Sequence, residues 1–439
     1  MLSTEDNEAI TRVGPGTLMG NLMRQYWVPA MLSSEVEAGG EPVRIMLLGE
    51  KLIAFRDSDG QVGLVDNHCP HRGASLFFGR NEECGLRCVY HGWKFDVRGN
   101  CVDMPNEPPE SNFKHKVRVK AYPCRERGGV VWTYMGSRQE PPPLPELEAN
   151  MLPEGQGFVN AIQRECNWLQ ALEGDIDTSH FSFLHMGSLD PESQPQGSFA
   201  YYVLKDRAPR YSVVETDGGT MYGAYRDAGE GQRYWRVAQF LFPFFTMPPQ
   251  GVLGHKIVVR AWVPMDDEHT MFIHMSPRIQ PISLGNIEAS NVNLLGRLLP
   301  RSSDWYGRFR MAANAGNDYE IDRDKQRRNE EYTGIKGIHL QDQAITESMG
   351  AIYDRSQEHL ASSDAMIIQT RRRLLNAARE LEEKGAVPPG VDDPAAYHVR
   401  AGGTFLPRDA EWLEATRELR RAFVTHPEID TAVSGGTIV

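Results

Sequence analysis

At 439 residues the chain is long enough for two or three domains, each with a core of its own. With 40% hydrophobic and 24% charged residues it has an ordinary water-soluble composition, and a net charge of −12 argues against a nucleic-acid partner, which needs a concentrated basic surface. No apolar run approaches the ~20 residues of a membrane span, and the polar opening MLSTEDNEAITRVG is not a secretory signal, so a cytoplasmic location without membrane contact is expected.

Residues 1–41 read as a helical lead-in with a turn at Gly14-Pro15-Gly16. VRIMLLG, KLIAFRD and QVGLVDN follow as short strands separated by Gly49-Glu50 and Ser58-Asp59-Gly60, and Trp93–Val97, Val117–Val119 and Val130–Tyr134 continue the pattern. Residues 42–136 therefore form a small all-β domain, followed by a Pro-rich linker over 137–157 that contains EPPPLPELEANMLPEG. From 158 to 439 a second domain begins with a capped, amphipathic helix over Asn167–His185. It continues through antiparallel strands in 210–275 and turns helical from about 342, notably over Ser363–Lys384 and Asp409–Phe423. Strands and helices in separate blocks predict an α+β chain, with an antiparallel sheet flanked by helices in the second domain. The basic runs Arg327-Arg328 and Arg371-Arg372-Arg373 sit in mixed-charge helical stretches and read as solvated faces.

Six cysteines, Cys69, Cys84, Cys88, Cys101, Cys124 and Cys166, are too sparse for a disulfide scaffold. Two of them belong to the sharpest signal in the chain: Cys69-Pro70-His71, sixteen residues, then Cys88-Val89-Tyr90-His91. Each pair offers one thiolate and one imidazole. Thiolates suit iron–sulfur clusters, and imidazoles on one iron mark the Rieske [2Fe–2S] type, whose reduction potential is raised by its neutral ligands. The rival is a structural Cys2His2 zinc site, but zinc fingers usually pair Cys with Cys and His with His. His68 and the remaining cysteines read as packing residues.

A second constellation follows the linker, in NWLQALEGDIDTSHFSFLH. His180 lies three residues from Asp177, a spacing that shares a helical face, and five from His185, which does not without a break between the two histidines. Two histidines near a carboxylate suggest the 2-His-1-carboxylate triad of non-heme iron sites.

CPHRGASL and CVYHGWKFDVRGNC closely resemble the Rieske fingerprint. Together with the downstream histidines they make the chain resemble the Rieske non-heme iron ring-hydroxylating oxygenases, as the oxygenase component. The segments TRVGPGTLMGNLMRQYWVPA, CPHRGASLFFGRNEECGLRCVYHGWKFDV and TGIKGIHLQDQAITESMGAIYDRS, the last continued by EHLASSD, look like the phthalate dioxygenase branch. The resemblance implies a [2Fe–2S] cluster on Cys69, His71, Cys88 and His91, and a mononuclear non-heme Fe(II) on His180 and His185. It makes Asp177 a carboxylate bridging His180 to the partner's His91, and brings the third iron ligand from far downstream. Asp354, Glu358 and Asp364 lie in the matching segment; Asp364 is preferred, at the start of a C-terminal helix, although an acid there also suits a helix cap.

O2 chemistry belongs to transition metals rather than to side chains. The Gly14–Gly20 stretch fails as a nucleotide loop, so the electrons are expected from a separate flavin/iron-sulfur reductase using a nicotinamide. The branch implies a homo-trimer or a hexamer of one chain type, acting on an aromatic acid and O2. A substrate carboxylate needs a cation, and Arg236 is the first candidate: RYWRVAQFL puts it on an apolar strand face. Lys205, Arg207 and Ser179 are further candidates. The expected reaction is cis-dihydroxylation, with monooxygenation or O-demethylation as the alternative on the same iron, and a plain Rieske electron carrier as the remote one.

Overall fold

The computed structural model describes residues 2–429 apart from 109, 112, 196 and 279–295. Residues 279–295 and 430–439 of the expected second domain thus lie outside the described residues.

The first β-region contains two four-stranded sheets, besides a three-stranded one made by Trp27–Leu32, Val130–Tyr134 and Cys124–Arg127. Strands Val43–Leu47, Glu50–Arg56 and Val62–Asp66 form consecutive antiparallel neighbours, completed by Ala121–Tyr122. The first hairpin turns in two residues, Leu48 and Gly49, both with positive φ (46° and 76°), the geometry that matches strand twist in a tight hairpin. Beyond it, Arg80–Asn81, Leu86–Arg87, Lys94–Phe95 and Cys101–Asp103 make a second four-stranded sheet. That tip has its own apolar cluster, in which Phe55, Leu76, Leu86 and Phe95 are fully buried.

The second region is built on an eight-stranded antiparallel sheet. Its path runs Gly157–Arg164, Thr270–Pro277, Val259–Pro264, Phe245–Met247, Gln232–Leu241, Gly219–Gly229 and Arg210–Thr216, and Gly402–Pro407 pairs against Gln232–Leu241. Helices Trp168–Asp175, Ile338–Ser348 and Ala365–Lys384 flank it. The α+β architecture is the one expected, and among the described residues no helix is long and apolar enough to cross a membrane.

Several local expectations change. The lead-in is helical only over Thr4–Thr11 and Leu18–Met23; Trp27–Leu32 is a strand between the helices and the first domain, paired with Val130–Tyr134. Val117–Val119 contributes only an isolated bridge from Arg118 to Asn100. Of Asp409–Phe423 only Trp412–Ala415 is α-helical; Trp412 is buried in an apolar cluster against which Ala410, Leu413 and Leu419 also pack. Arg371 is no solvated charge: it is 4% exposed and sits in a buried ion network with Glu173, Glu358 and Arg355. The long helix turns that side of itself toward the segment Trp168–Asp175, and a buried guanidinium is tolerated there because carboxylates meet it.

One apolar core runs through both regions, from Ile10, Leu22 and Trp27 to Phe240, Met366 and Leu374. The N-terminal helices take part in it and are tied down by polar contacts as well. The Val13 amide donates to Asp267 Oδ1 at 2.9 Å, Asn167 Nδ2 to the Thr11 carbonyl at 3.0 Å, and Tyr26 Oη to the Pro389 carbonyl at 2.8 Å.

Candidate metal centres

The two Cys/His loops at the tip of the first region repeat one another. The Cys69 amide donates to the Ala74 carbonyl at 2.8 Å and the Gly73 amide returns to the Cys69 carbonyl at 2.9 Å. The Cys88 amide donates to Trp93 at 2.8 Å and the Gly92 amide to Cys88 at 2.9 Å. Both turns close on a glycine with positive φ, 76° at Gly73 and 80° at Gly92, a conformation that costs glycine nothing. A Cβ on Gly92 would also stand 2.6 Å from Pro105 Cγ.

These loops bury Cys69 and Cys88 and leave His71 and His91 partly exposed. The imidazoles meet edge to face at 4.4 Å between centroids, and Trp93 stacks on His71 at 4.4 Å while donating its Nε1–H to Asn106. Burial, and then the neighbouring Cys88, push the Cys69 thiol up to about 11. His91 falls below its ordinary value through burial and the charges of His71 and Arg72. Four ligands of one tetrahedral zinc would all crowd together. Among the described residues the one group of three or more His, Cys, Asp or Glu side chains whose ligand atoms all lie within 4.8 Å of one another is His180, His185 and Asp342, and no such group forms at the tip. The donors at the tip are spread for a binuclear cluster, with buried thiolates on the inside and imidazoles toward the surface, and the residues fit it.

The second centre lies where the helix Trp168–Asp175 ends. Asn167 caps its start by accepting from the Leu169 amide. The chain then bends through 176–180 and restarts as the short helix Phe181–Leu184, with His180 and His185 at its two ends. The break therefore falls before His180, not between the histidines. Asp177 makes it: its Oδ1 accepts from the Ser179 amide at 2.6 Å and the Ser179 hydroxyl at 2.7 Å, an Asx-type turn. Its Oδ2 stands 3.2 Å from His180 Nδ1.

Asp342, inside the helix Ile338–Ser348, completes the group. Its Oδ1 is 3.1 Å from His185 Nε2 and 3.6 Å from His180 Nε2, and the two Nε2 atoms are 3.2 Å apart. Two imidazole nitrogens and one carboxylate oxygen converging on one point are the donor set of the non-heme iron triad, and they fit an Fe(II) ion. Each histidine has an acceptor behind it. His180 has Asp177; His185 Nδ1 lies 2.7 Å from Gln341 Oε1, and Gln341 Nε2 donates to the Ile335 carbonyl at 2.8 Å. Burial disfavours charge on His180, but Asp177 outweighs it and leaves the imidazole above its ordinary value. Burial likewise opposes ionisation of Asp342, yet His185 and His180 hold it well below the usual carboxylate range.

The structure does not bring Asp364 to the histidines. Its Oδ2 accepts from the Ala361 amide at 2.7 Å, the capping role that an acid at a helix start fills well. Asp354 accepts from the Ser356 amide and hydroxyl in a local turn, and Glu358 is committed to Arg371. Asp342 was missed because sequence reasoning sought an acid at a helix end. Only the folded helix marks it: within IHLQDQAITES the polar residues His339, Gln341, Gln343, Thr346 and Glu347 are all buried, and a polar buried side needs polar company.

Next to this centre, strands Arg210–Thr216, Gly219–Gly229 and Gln232–Leu241 set Tyr211 opposite Ala224 and Ala224 opposite Arg236. Arg236 is 4% exposed; its Nη1 donates to Thr178 Oγ1 at 2.6 Å and its Nη2 to the Pro249 carbonyl at 3.3 Å. The guanidinium lies over Phe199 and Phe181, at 4.4 and 5.2 Å from the ring centroids. Lys205 is exposed and donates to Tyr201 Oη at 2.6 Å, Arg207 lies 5.0 Å over Phe183, and the Ser179 hydroxyl is held by Asp177. Of the expected cations only Arg236 is built into the wall beside His180.

Comparison with known proteins places the chain among oxygenases. The Rieske [2Fe–2S] domain family matches residues 26–123 and the LigXa C-terminal domain-like family matches 133–433. The chain is 50% identical over 420 residues to the 3-chlorobenzoate-3,4-dioxygenase oxygenase subunit of Comamonas testosteroni, covering 94% of this chain and 97% of that one. It is 39% identical to the phthalate 4,5-dioxygenase oxygenase subunit of Pseudomonas putida, over 86% of each. It is 33% identical to the 5,5'-dehydrodivanillate O-demethylase oxygenase subunit of a Sphingobium strain, over 90% of this chain and 85% of that one. Among solved structures, dicamba monooxygenase bound to dicamba shares the fold, with a TM-score of 0.56 at 17% identity over 82% of this chain and 99% of that one.

Proposed function

The chain belongs to the Rieske non-heme iron oxygenases, as an oxygenase subunit, and on that footing we propose that it cis-dihydroxylates the ring of an aromatic carboxylic acid. One observation carries the choice of an acid: a buried guanidinium, Arg236, stands in the wall beside His180, and it has no carboxylate partner among the described residues. The relatives named for 3-chlorobenzoate and phthalate support the same class.

When bound, the cluster supplies single electrons and the mononuclear iron supplies open positions for O2. The chain's own residues prepare both. Asp177 keeps the proton on His180 Nδ1, and Gln341 keeps it on His185 Nδ1, so that both Nε2 lone pairs face the third ligand, Asp342. Phe181 and Phe199 supply apolar walls that hold a ring and exclude water. Ser179 and Arg236 line the substrate side, with Lys205 and Arg207 at its exposed margin. Asp177 also links His180 to the partner's His91 in a trimer or a pair of trimers.

A separate reductase provides the electrons; we infer a flavin/iron-sulfur protein drawing on a nicotinamide. The accompanying division puts electron entry in 42–136 and catalysis in 158–439. The relative named as an O-demethylase supports a second reading, monooxygenation of a methoxy- or hydroxy-aromatic acid on the same ligands. Anaerobic reduction followed by O2 and a panel of aromatic acids tests both. A cis-diol product bears out the first, formaldehyde or a phenol the second, and turnover of neutral aromatics alone would sink the acid class.

A further inference from the structure

Arg226 lies one strand from Arg236 on the same face of the sheet, opposite Tyr234 in the register. It is fully buried, yet among the described residues only its Nε has a partner, donating to the Asp206 carbonyl at 2.8 Å. Both Nη1 and Nη2 are buried without a hydrogen-bond partner. Arg236 shows the reverse pattern, with both Nη atoms engaged and Nε alone unpartnered. Small Ala224 occupies the middle of this patch, ringed by Tyr211, Tyr222, Arg226 and Arg236.

Two buried guanidiniums on one face, with no carboxylate paired to either among the described residues, are a costly arrangement unless an anion visits. The electrostatics agree: burial, and then the charge of Arg236, depress Arg226 to about 10. The buried Tyr222 hydroxyl, beside Thr178, is kept protonated by burial, so it too can donate. A guanidinium used as a strut would spend its Nη atoms on backbone carbonyls, as Arg24 does on Val13, Gly20 and Leu48. Arg226 keeps its two-pronged edge free.

We propose that Arg226, rather than Arg236, presents the fork that grips the substrate carboxylate, with Arg236 adding its single free Nε–H. This rests on the aromatic-acid reading above and names the anchor within it. The fork matches one carboxylate in two parallel bonds, while Arg236 serves as an aromatic-stacked wall tied to Thr178. The site thus takes a monocarboxylate whose ring projects toward Phe181 and the iron-binding segment.

The test is calorimetric titration of the anaerobic holoenzyme with benzoate, 3-chlorobenzoate and phthalate, each against its amide. Arg226→Met is expected to weaken the best acid by about 10–100-fold, as loss of a charge-assisted fork would, and to change its amide by no more than a few-fold. Arg226→Lys, which keeps the charge but not the fork, should fall between. An unchanged Rieske signal and iron content show that the variants fold; should Arg226→Met fail to fold, Arg226→Lys is read in its place. A wild type that prefers acids, with Arg226 variants that bind them unchanged, overturns the anchor alone. Equal loss for acid and amide overturns it too, by making Arg226 structural. A wild type that binds acid and amide equally, or binds none of the acids, overturns the aromatic-acid reading beneath it.

Discussion

Replacing Asp342 with Ala takes away the carboxylate oxygen that faces the Nε2 atoms of both histidines, so the mononuclear iron should be lost while the Rieske EPR signal stays. Asp364→Ala should keep full iron content and cost only a helix cap, about 0.5–2 kcal/mol of stability. Iron analysis of the two variants checks the correction directly, and iron retained in Asp342→Ala would refute it. Behind the ligands, Gln341→Leu should weaken Fe(II) binding by about 10–100-fold, the usual effect of losing a partner of a metal-bound imidazole. Gln341→Glu keeps an acceptor and should keep the metal; equal Fe(II) affinity in Gln341→Leu and wild type would show that the amide does not orient His185. Asp177→Asn should leave both metals in place and abolish turnover; normal turnover would end its bridging role. At this scale the sequence was most informative about residues grouped closely in the chain, whereas the buried polar side of the helix Ile338–Ser348, which marks Asp342, shows only once the chain is folded. Cys69, His71, Cys88, His91, His180 and His185 could be singled out because each set shares one or two loops. Asp342 and Arg226 could not, since nothing local distinguishes an acid within a helix or an arginine in a strand until folding leaves them buried beside their neighbours.

The elements show why local pattern carried some assignments and not others. Strands such as Val43–Leu47 and Glu50–Arg56 are bounded by turns that only a few residue types adopt, so their limits are written nearby. The strand Trp27–Leu32 is buried along its whole length, and an apolar run of that kind has no period to read. A pH-dependent joint follows from one hairpin. His269, in the turn before Thr270–Pro277, contacts Asp266 Oδ1 at 2.9 Å and Glu165 Oε2 at 3.3 Å. Burial works against its charge, but the two carboxylates prevail and raise it to about 9. A folded value above the unfolded value of about 6.5 means that protonation favours the fold. This contribution should be complete below about pH 6.5 and fade as pH rises through about 9. His269→Gln should flatten that part of the melting-temperature profile; an unchanged slope between pH 7 and 9.5 would assign it to other groups.

At the scale of the molecule, the chain should carry three irons, two in the cluster and one in the triad, against two for an electron carrier. The Pro-rich stretch reads in the sequence as a linker between two domains. The linker and the two regions are packed together: Trp27 Nε1 donates to the Pro142 carbonyl at 2.6 Å, and the Leu48 and Gly49 amides reach the Pro264 and Met265 carbonyls at 3.1 and 2.8 Å. That arrangement follows from the N-terminal helices, whose side chains are built into the core of the second region.

The first β-region leaves and re-enters the main body through adjacent strands, Trp27–Leu32 and Val130–Tyr134, so it is hung from the body at both ends like a drawer on two runners. A protease that nicks the chain near residue 140 should therefore produce two fragments on a denaturing gel and one particle on a sizing column. A gene fragment starting after the linker would lack the helices that close its own core, and should be insoluble unless residues 1–32 are supplied with it.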